Sequence, residues 1–135
     1  MKKTMIQKMF WAAGLINIIG MLSVSLFFTS PYPAKYYPLV FSNFGMIVIM
    51  LWGLANIAVS SVYMHVRMLL FVFALERMAY TITWIIFIAT SGSLIPVIFQ
   101  ESIITGLILG SYGLCDAAFS LFFTWVGLKG YRISE

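Results

Sequence analysis

The chain is short of charge. Of its 135 residues only eight are Lys or Arg and four are Asp or Glu, whereas about a quarter of a soluble domain is charged. So few charges exclude a water-soluble globular domain, and a hydrophobic content of 62% with a mean hydropathy of +1.02 places the chain among integral membrane proteins. One cysteine, Cys115, excludes an intrachain disulfide and reads as a small packing residue. One histidine, His65, excludes the paired imidazoles of a haem or zinc centre, so no metal site is expected and no cofactor is evident. GxSxG, HExxH, P-loop and CxxC motifs are all missing, and enzymatic activity is not favoured.

Long apolar runs are what the chain does have. Residues 10–28, 39–59, 68–89 and 103–128 each approach or exceed the roughly 20 residues that cross about 30 Å of hydrocarbon. They are too long, and alternate too little, for barrel strands. The expectation is a single transmembrane domain over residues 1–135, all-α, built as an antiparallel four-helix bundle. Lys2, Lys3, Lys8, Arg67, Lys129 and Arg132 fall on one side of such a bundle and Lys35 alone on the other, which predicts cytoplasmic N and C termini in the cytoplasmic (inner) membrane. The net charge of +4 is used up in this orientation and does not imply nucleic acid. "MKKTMIQKMF" and the apolar run after it read as a first helix, not as a cleaved leader, because no A-x-A site follows.

The links carry less. "TSPYPAKYYP" (29–38) reads as an interfacial turn. "TSGSLIPVIFQES" (90–102) reads as a partly apolar segment broken at Pro96, lying along the outer surface or dipping into it, with Glu101 starting helix four.

Glu76, Arg77 and Asp116 sit inside apolar runs, where an ionisable side chain costs a few kcal/mol and normally faces partners within the protein. Counted at about 1.5 Å per residue from the inner helix ends, Asn17 lies at roughly 10 Å, Glu76 and Arg77 at roughly 12 to 14 Å and Asp116 at roughly 18 Å depth. Helical spacing groups Glu76 with Tyr80 and Thr83, Arg77 with Thr81 and Trp84, and Tyr112 with Asp116 and Ser120. Gly14, Asn17, Met21 and Ser25 mark the inward face of helix one, and Gly45, Trp52 and Asn56 that of helix two. Glu76 and Arg77 are about 100° apart around their helix and form no ideal intrahelical pair. The expected arrangement has Arg77 reaching Asp116, with Glu76 meeting Asn17 or a tyrosine hydroxyl. The polar network then comprises Asn17, Trp52, Asn56, Glu76, Arg77, Tyr80, Tyr112 and Asp116. Two carboxylates face one guanidinium, so one of them is expected to be protonated or open to a water-filled cavity, an imbalance that favours a site over a brace, although a buried bridge can also merely fix helix register. Gly106, Gly110 and Gly113 form a small-residue seam for packing, either inside the bundle or between protomers of a homo-oligomer.

"LINIIG", "GMIVIMLWGLAN" and "YGLCDAAFSLFF", with a charged centre in helix three, resemble small bacterial DoxX-like four-helix membrane proteins over nearly the whole chain. Asn17, Gly20, Gly45, Gly53 and Asp116 carry the resemblance. It implies a compact bundle and, from the founding members, a link to quinone-dependent sulfur oxidation. Glu76 and Arg77 stand where many of those relatives carry a glycine and a lysine.

The leading functional expectation is a protein that binds a small amphipathic molecule, such as a quinone or a lipid, with Arg77 holding the polar head, or that serves as an accessory subunit. The alternatives are an oligomeric proton-coupled transporter, since four helices enclose little volume, and a purely structural subunit of a membrane complex. An isomerase with Glu76 as acid and Asp116 as base is a minor alternative.

Overall fold

The computed structural model describes residues 2–133, and side chains through residue 129. Its helices are α1 (Lys3–Val24), α2 (Tyr32–Tyr36), α3 (Pro38–Phe41), α4 (Asn43–Val59), α5 (Arg67–Ser91), α6 (Ile95–Glu101) and α7 (Ile103–Ile133), and no strand occurs among the described residues. Three stretches are long and apolar enough to cross a membrane: Lys3–Val24, Arg67–Glu101 and Ile103–Lys129. At 17 residues, Asn43–Val59 falls short of that length.

The shortfall comes from a break at Ser42, where an unbroken run over 39–59 was expected. Ser42 is extended (φ −63°, ψ 162°) and its hydroxyl accepts from Gly45 N at 3.0 Å, an N-cap that starts a new helix. The break folds α3 back so closely that a Cβ on Gly45 would lie 2.2 Å from the Val40 carbonyl oxygen.

α1 begins at Lys3 and ends at Val24, short of the expected residue 28. Leu26, Phe27 and Phe28 take left-handed φ values of 48°, 56° and 67°, a conformation that costs roughly 1–2 kcal/mol per non-glycine residue. Fully buried Ser25 holds the reversal: its hydroxyl donates to Met21 O at 2.6 Å and accepts from Phe28 N at 3.0 Å.

The 90–102 link is helical. Pro96 lies in the first turn of α6, where its missing N–H breaks no helical bond. Glu101 ends α6 instead of starting α7; Ser102 takes that place, its hydroxyl accepting from Thr105 N at 3.3 Å. Glu101 instead accepts from Lys35 Nζ at 3.3 Å and Tyr36 Oη at 2.5 Å, which ties α2 to α6. That carboxylate holds the Lys35 ammonium above its ordinary pKa.

The long helices pack as two antiparallel pairs. α5 and α7 keep one register: Arg67 donates to Gly127 O and Leu128 O, Ser120 to Ala74 O at 2.9 Å, and Thr81 to Gly113 O at 3.4 Å. Positions 67, 74 and 81 thus step by seven against 127, 120 and 113, the heptad spacing of a left-handed helix pair. α1 and α4 touch backbone to backbone: a Cβ on Gly14 would lie 2.4 Å from Gly53 O, and one on Gly53 would lie 2.7 Å from Gly14 O. The inward row of α4 is Met46, Ile49, Gly53, Asn56 and Val59, one position round from the expected Gly45 and Trp52. Gly14, Asn17, Met21 and Ser25 are all buried, as their spacing predicts.

Two apolar clusters sit at opposite ends of the molecule. Phe10, Tyr63, Phe73 and Phe123 centre the first, with Phe10 stacked on Tyr63 at 5.4 Å. Val40, Phe41, Phe87 and Leu109 centre the second, under α2 and α3. The beginning of α1, Arg67 and the far end of α7 share the first end, so the described basic residues other than Lys35 and the central Arg77 gather there. The Arg132 side chain lies outside the described residues.

Candidate functional site

Between the two clusters lies a polar layer built around one side chain. Arg77 is 1% exposed and reaches all four long helices. Its Nη1 donates to Asn17 Oδ1 at 3.0 Å and to Asp116 Oδ1 at 2.8 Å; its Nη2 donates to Asn56 Oδ1 at 3.0 Å and to Ala13 O at 3.2 Å. The guanidinium carbon lies 5.1 Å from the Phe119 ring centre, within cation–π range. Asn17 is fixed from the other side by donating to Ile49 O at 3.1 Å. A planar fork with five donors is suited to such a hub; a lysine could offer three.

The expected pairing of Arg77 with Asp116 is present, and both lie at one depth. Measured from the contact of Arg67 with Gly127, Arg77 is ten residues along and Asp116 eleven, roughly 15 to 17 Å. The separate depths expected earlier arose from taking each helix end independently. Glu76 departs from expectation. Asn17 is engaged by Arg77, and Glu76 meets neither it nor a tyrosine. Instead Glu76 Oε2 stands 3.5 Å from Nε of its own neighbour Arg77, close enough for attraction but making no hydrogen bond. The Glu76 side chain is 5% exposed.

Beside this layer is a cavity of about 140 Å³. Asn17, Glu76, Arg77, Tyr80, Tyr112 and Asp116 supply most of its polar lining, and Ile16, Gly20, Met21, Val40, Phe41, Ile49, Ile108, Ser111 and Cys115 the rest. Of the residues expected in the network, Trp52 and Asn56 do not line it. Trp52 packs edge-on against Phe73, 6.1 Å away in the first apolar cluster, and Asn56 lies behind the guanidinium. Ile16 and Ser111 are exposed and Gly20 and Cys115 half-buried, so the mouth opens sideways between α1 and α7, toward the lipid-facing surface. A Cβ on Gly20 would meet nothing within 4 Å.

The polar atoms in the cavity fall into two groups. Arg77, Asn17 and Tyr112 are engaged. For Tyr112 the direction is fixed: Thr83 Oγ1 gives its proton to Tyr80 O at 2.7 Å, so Tyr112 Oη donates to Thr83 Oγ1 at 3.0 Å. Glu76, the second oxygen of Asp116 and the Tyr80 hydroxyl have no hydrogen bond among the described residues. Arg77 has four of its N–H groups bonded, and the fifth, on Nε, lies buried beside Glu76 without a hydrogen bond.

Gly106 and Gly113 of the small-residue seam are occupied within the chain. Phe99 of α6 lies 2.8 Å from a Cβ built on Gly106, and the Trp84 ring 2.3 Å from one on Gly113, while Gly110 has no neighbour within 4 Å. Sequence reasoning missed Gly20, Ser111 and the apolar lining; the isolated Gly20 in an apolar helix was the one available signal. No group of three or more metal-ligating side chains occurs among the described residues. Comparison of the chain with protein-family models, with curated proteins and with solved structures gives no match, so any functional reading rests on this geometry.

Proposed function

We propose that the chain is a multi-pass protein of the cytoplasmic membrane, with α1, α4, α5 and α7 as an antiparallel four-helix bundle and both termini on the cytoplasmic side. In this reading it binds a small amphipathic molecule in the cavity beside Arg77. The supporting observation is the coincidence of a sideways opening with a buried acceptor, Glu76 Oε2, to which no group among the described residues donates. A structural brace needs its charges paired, and Arg77 with Asp116, Asn17 and Asn56 is such a brace. Glu76 is in excess of it: its Oε2 stands 3.5 Å from Arg77 Nε but accepts no hydrogen bond, and its side chain lines the cavity. A cavity of about 140 Å³ matches the engineered apolar void of about 150 Å³ that accepts benzene, so it holds a head group or a ring while a tail extends into lipid.

The test is native mass spectrometry of protein taken into lipid nanodiscs without detergent washing. A small-molecule adduct is expected on the natural chain and not on Gly20→Leu, which adds a bulky side chain at the rim of the cavity. An adduct equally present, or equally missing, in both would refute the reading.

A further inference from the structure

We infer that the molecule this cavity takes is a lipophilic amine, bound as its ammonium ion between Glu76 and Asp116; the inference rests on the proposed binding reading. Three observations carry it.

The first is charge balance. Glu76 and Asp116 line the cavity with Arg77 as the single cation. An ion deep in the bundle needs a partner of opposite sign. One more positive charge balances the layer, and a neutral or anionic head leaves the deficit or enlarges it.

The second is the direction of the free hydrogen bonds. The four Nη N–H groups of Arg77 are all bonded, and its Nε, which makes no hydrogen bond, is buried against Glu76 at 3.5 Å, away from the cavity space. The Asn17 amide donates to Ile49 O, and Ser111 Oγ donates to Leu107 O at 2.5 Å. What the cavity presents is carboxylate oxygen, which accepts only. A carbonyl or phosphate head needs donors and finds the Tyr80 hydroxyl and the weakly donating Cys115 thiol, whereas an ammonium brings donors of its own.

The third is the aromatic lining. Phe41, Tyr80 and Tyr112 border the cavity, and the faces of such rings attract cations. The rim, by contrast, is Ile16, Gly20, Ile108, Ser111 and Cys115, mostly apolar and suited to an alkyl chain passing out into the bilayer.

The probe is n-octylammonium, titrated calorimetrically into nanodiscs of phosphatidylglycerol holding the full chain, with empty nanodiscs as the reference. Parallel titrations use 1-octanol, octanoate and a short-chain ubiquinone. We expect saturable binding of octylammonium, at least about tenfold tighter than octanol, as one charge-assisted hydrogen bond provides. Glu76→Gln leaves every Arg77 hydrogen bond in place, and it is expected to weaken octylammonium by about tenfold or more and octanol little. Repeating the titration with phosphatidylethanolamine separates the sources of the amine: competition there identifies a lipid headgroup, and unaltered binding a free amine.

Octanol, octanoate or the quinone binding as tightly as octylammonium, in a manner that Gly20→Leu abolishes, would overturn the amine and keep the cavity as a binding site. No ligand showing binding sensitive to Gly20→Leu would overturn both. The Cβ of Gly20→Leu meets nothing within 4 Å, and an unshifted melting midpoint will show that its fold is intact.

Discussion

Replacing Arg77 by leucine tests the polar layer most directly. Leucine removes the guanidinium and leaves Asp116 without its 2.8 Å partner, Asn17 and Asn56 without their 3.0 Å donors and Glu76 without the cation at 3.5 Å. Breaking a buried ion pair by removing one partner costs about 3–5 kcal/mol. Each stranded amide oxygen adds about 1 kcal/mol at the low end of the usual range, appropriate because hydrogen bonds inside membranes average only about 0.6 kcal/mol. Protonation of the freed acids returns part of this, which leaves about 4–6 kcal/mol, most of the stability of an ordinary domain. Asp116→Asn is a milder change: the amide oxygen still accepts from Nη1, and one carboxylate then faces one guanidinium, so about 1 kcal/mol is expected. Arg77→Lys falls between, because one ammonium cannot reach four acceptors on three other helices. The assay is equilibrium unfolding by SDS titration of bicelle-embedded protein, followed by circular dichroism, for the three variants beside the natural chain. The expected order of loss is Asp116→Asn, then Arg77→Lys, then Arg77→Leu. An Arg77→Leu midpoint equal to or above that of Asp116→Asn would refute the hub.

Three further outcomes check the fold under the same assay. Gly14→Ala drives a methyl to within 2.4 Å of Gly53 O and must part α1 from α4, with an expected loss of about 2 kcal/mol; an unshifted midpoint would mean that the two backbones do not touch. Ser42→Ala removes the cap of α4 and is expected to cost about 1 kcal/mol, with faster hydrogen exchange at the Gly45 amide; unchanged exchange would place the helix start elsewhere. Phe27→Gly relieves a left-handed φ of 56° at a side chain that is 74% exposed, and a gain of about 1 kcal/mol is expected; a lowered midpoint would show that the Phe27 ring contributes more than the strain costs.

Glu76, Arg77, Asp116 and Asn17 were legible in the sequence because an ionisable or amide side chain in an apolar helix has few places to go, and helical spacing limits which of them can meet. The break at Ser42 was not: a serine inside a hydrophobic run gives no sign of being a cap until the chain before it turns back, and Val40 O against Gly45 is a tertiary contact. Trp52 was assigned to the polar layer by its spacing from Asn56, but α4 turns on its axis to put Gly53 against Gly14, and that rotation carries Trp52 toward Phe73. The full use of both Arg77 Nη atoms depended on a backbone acceptor, Ala13 O, which no side-chain pattern reports. The cavity was the least legible feature, since an empty volume is defined by side chains that stop short, and Gly20 was its single trace in the sequence.

The way Arg77 divides its hydrogen bonds bears on biogenesis. α1 and α4 precede α5 in the chain and in the finished fold bring Gly14 against Gly53, while the α5 guanidinium has only the neighbouring Glu76 as a charged partner on its own helix. The acceptors on Ala13, Asn17 and Asn56 are then in place to receive it, so the first hairpin acts as a receptor for the third long helix before Asp116 has been synthesised. α7 arrives last, and its carboxylate closes a layer that the earlier helices have already positioned. Truncation after α6 should therefore still yield an inserted chain, whereas loss of the asparagines should expose the arginine to the translocation machinery before its acid partner exists.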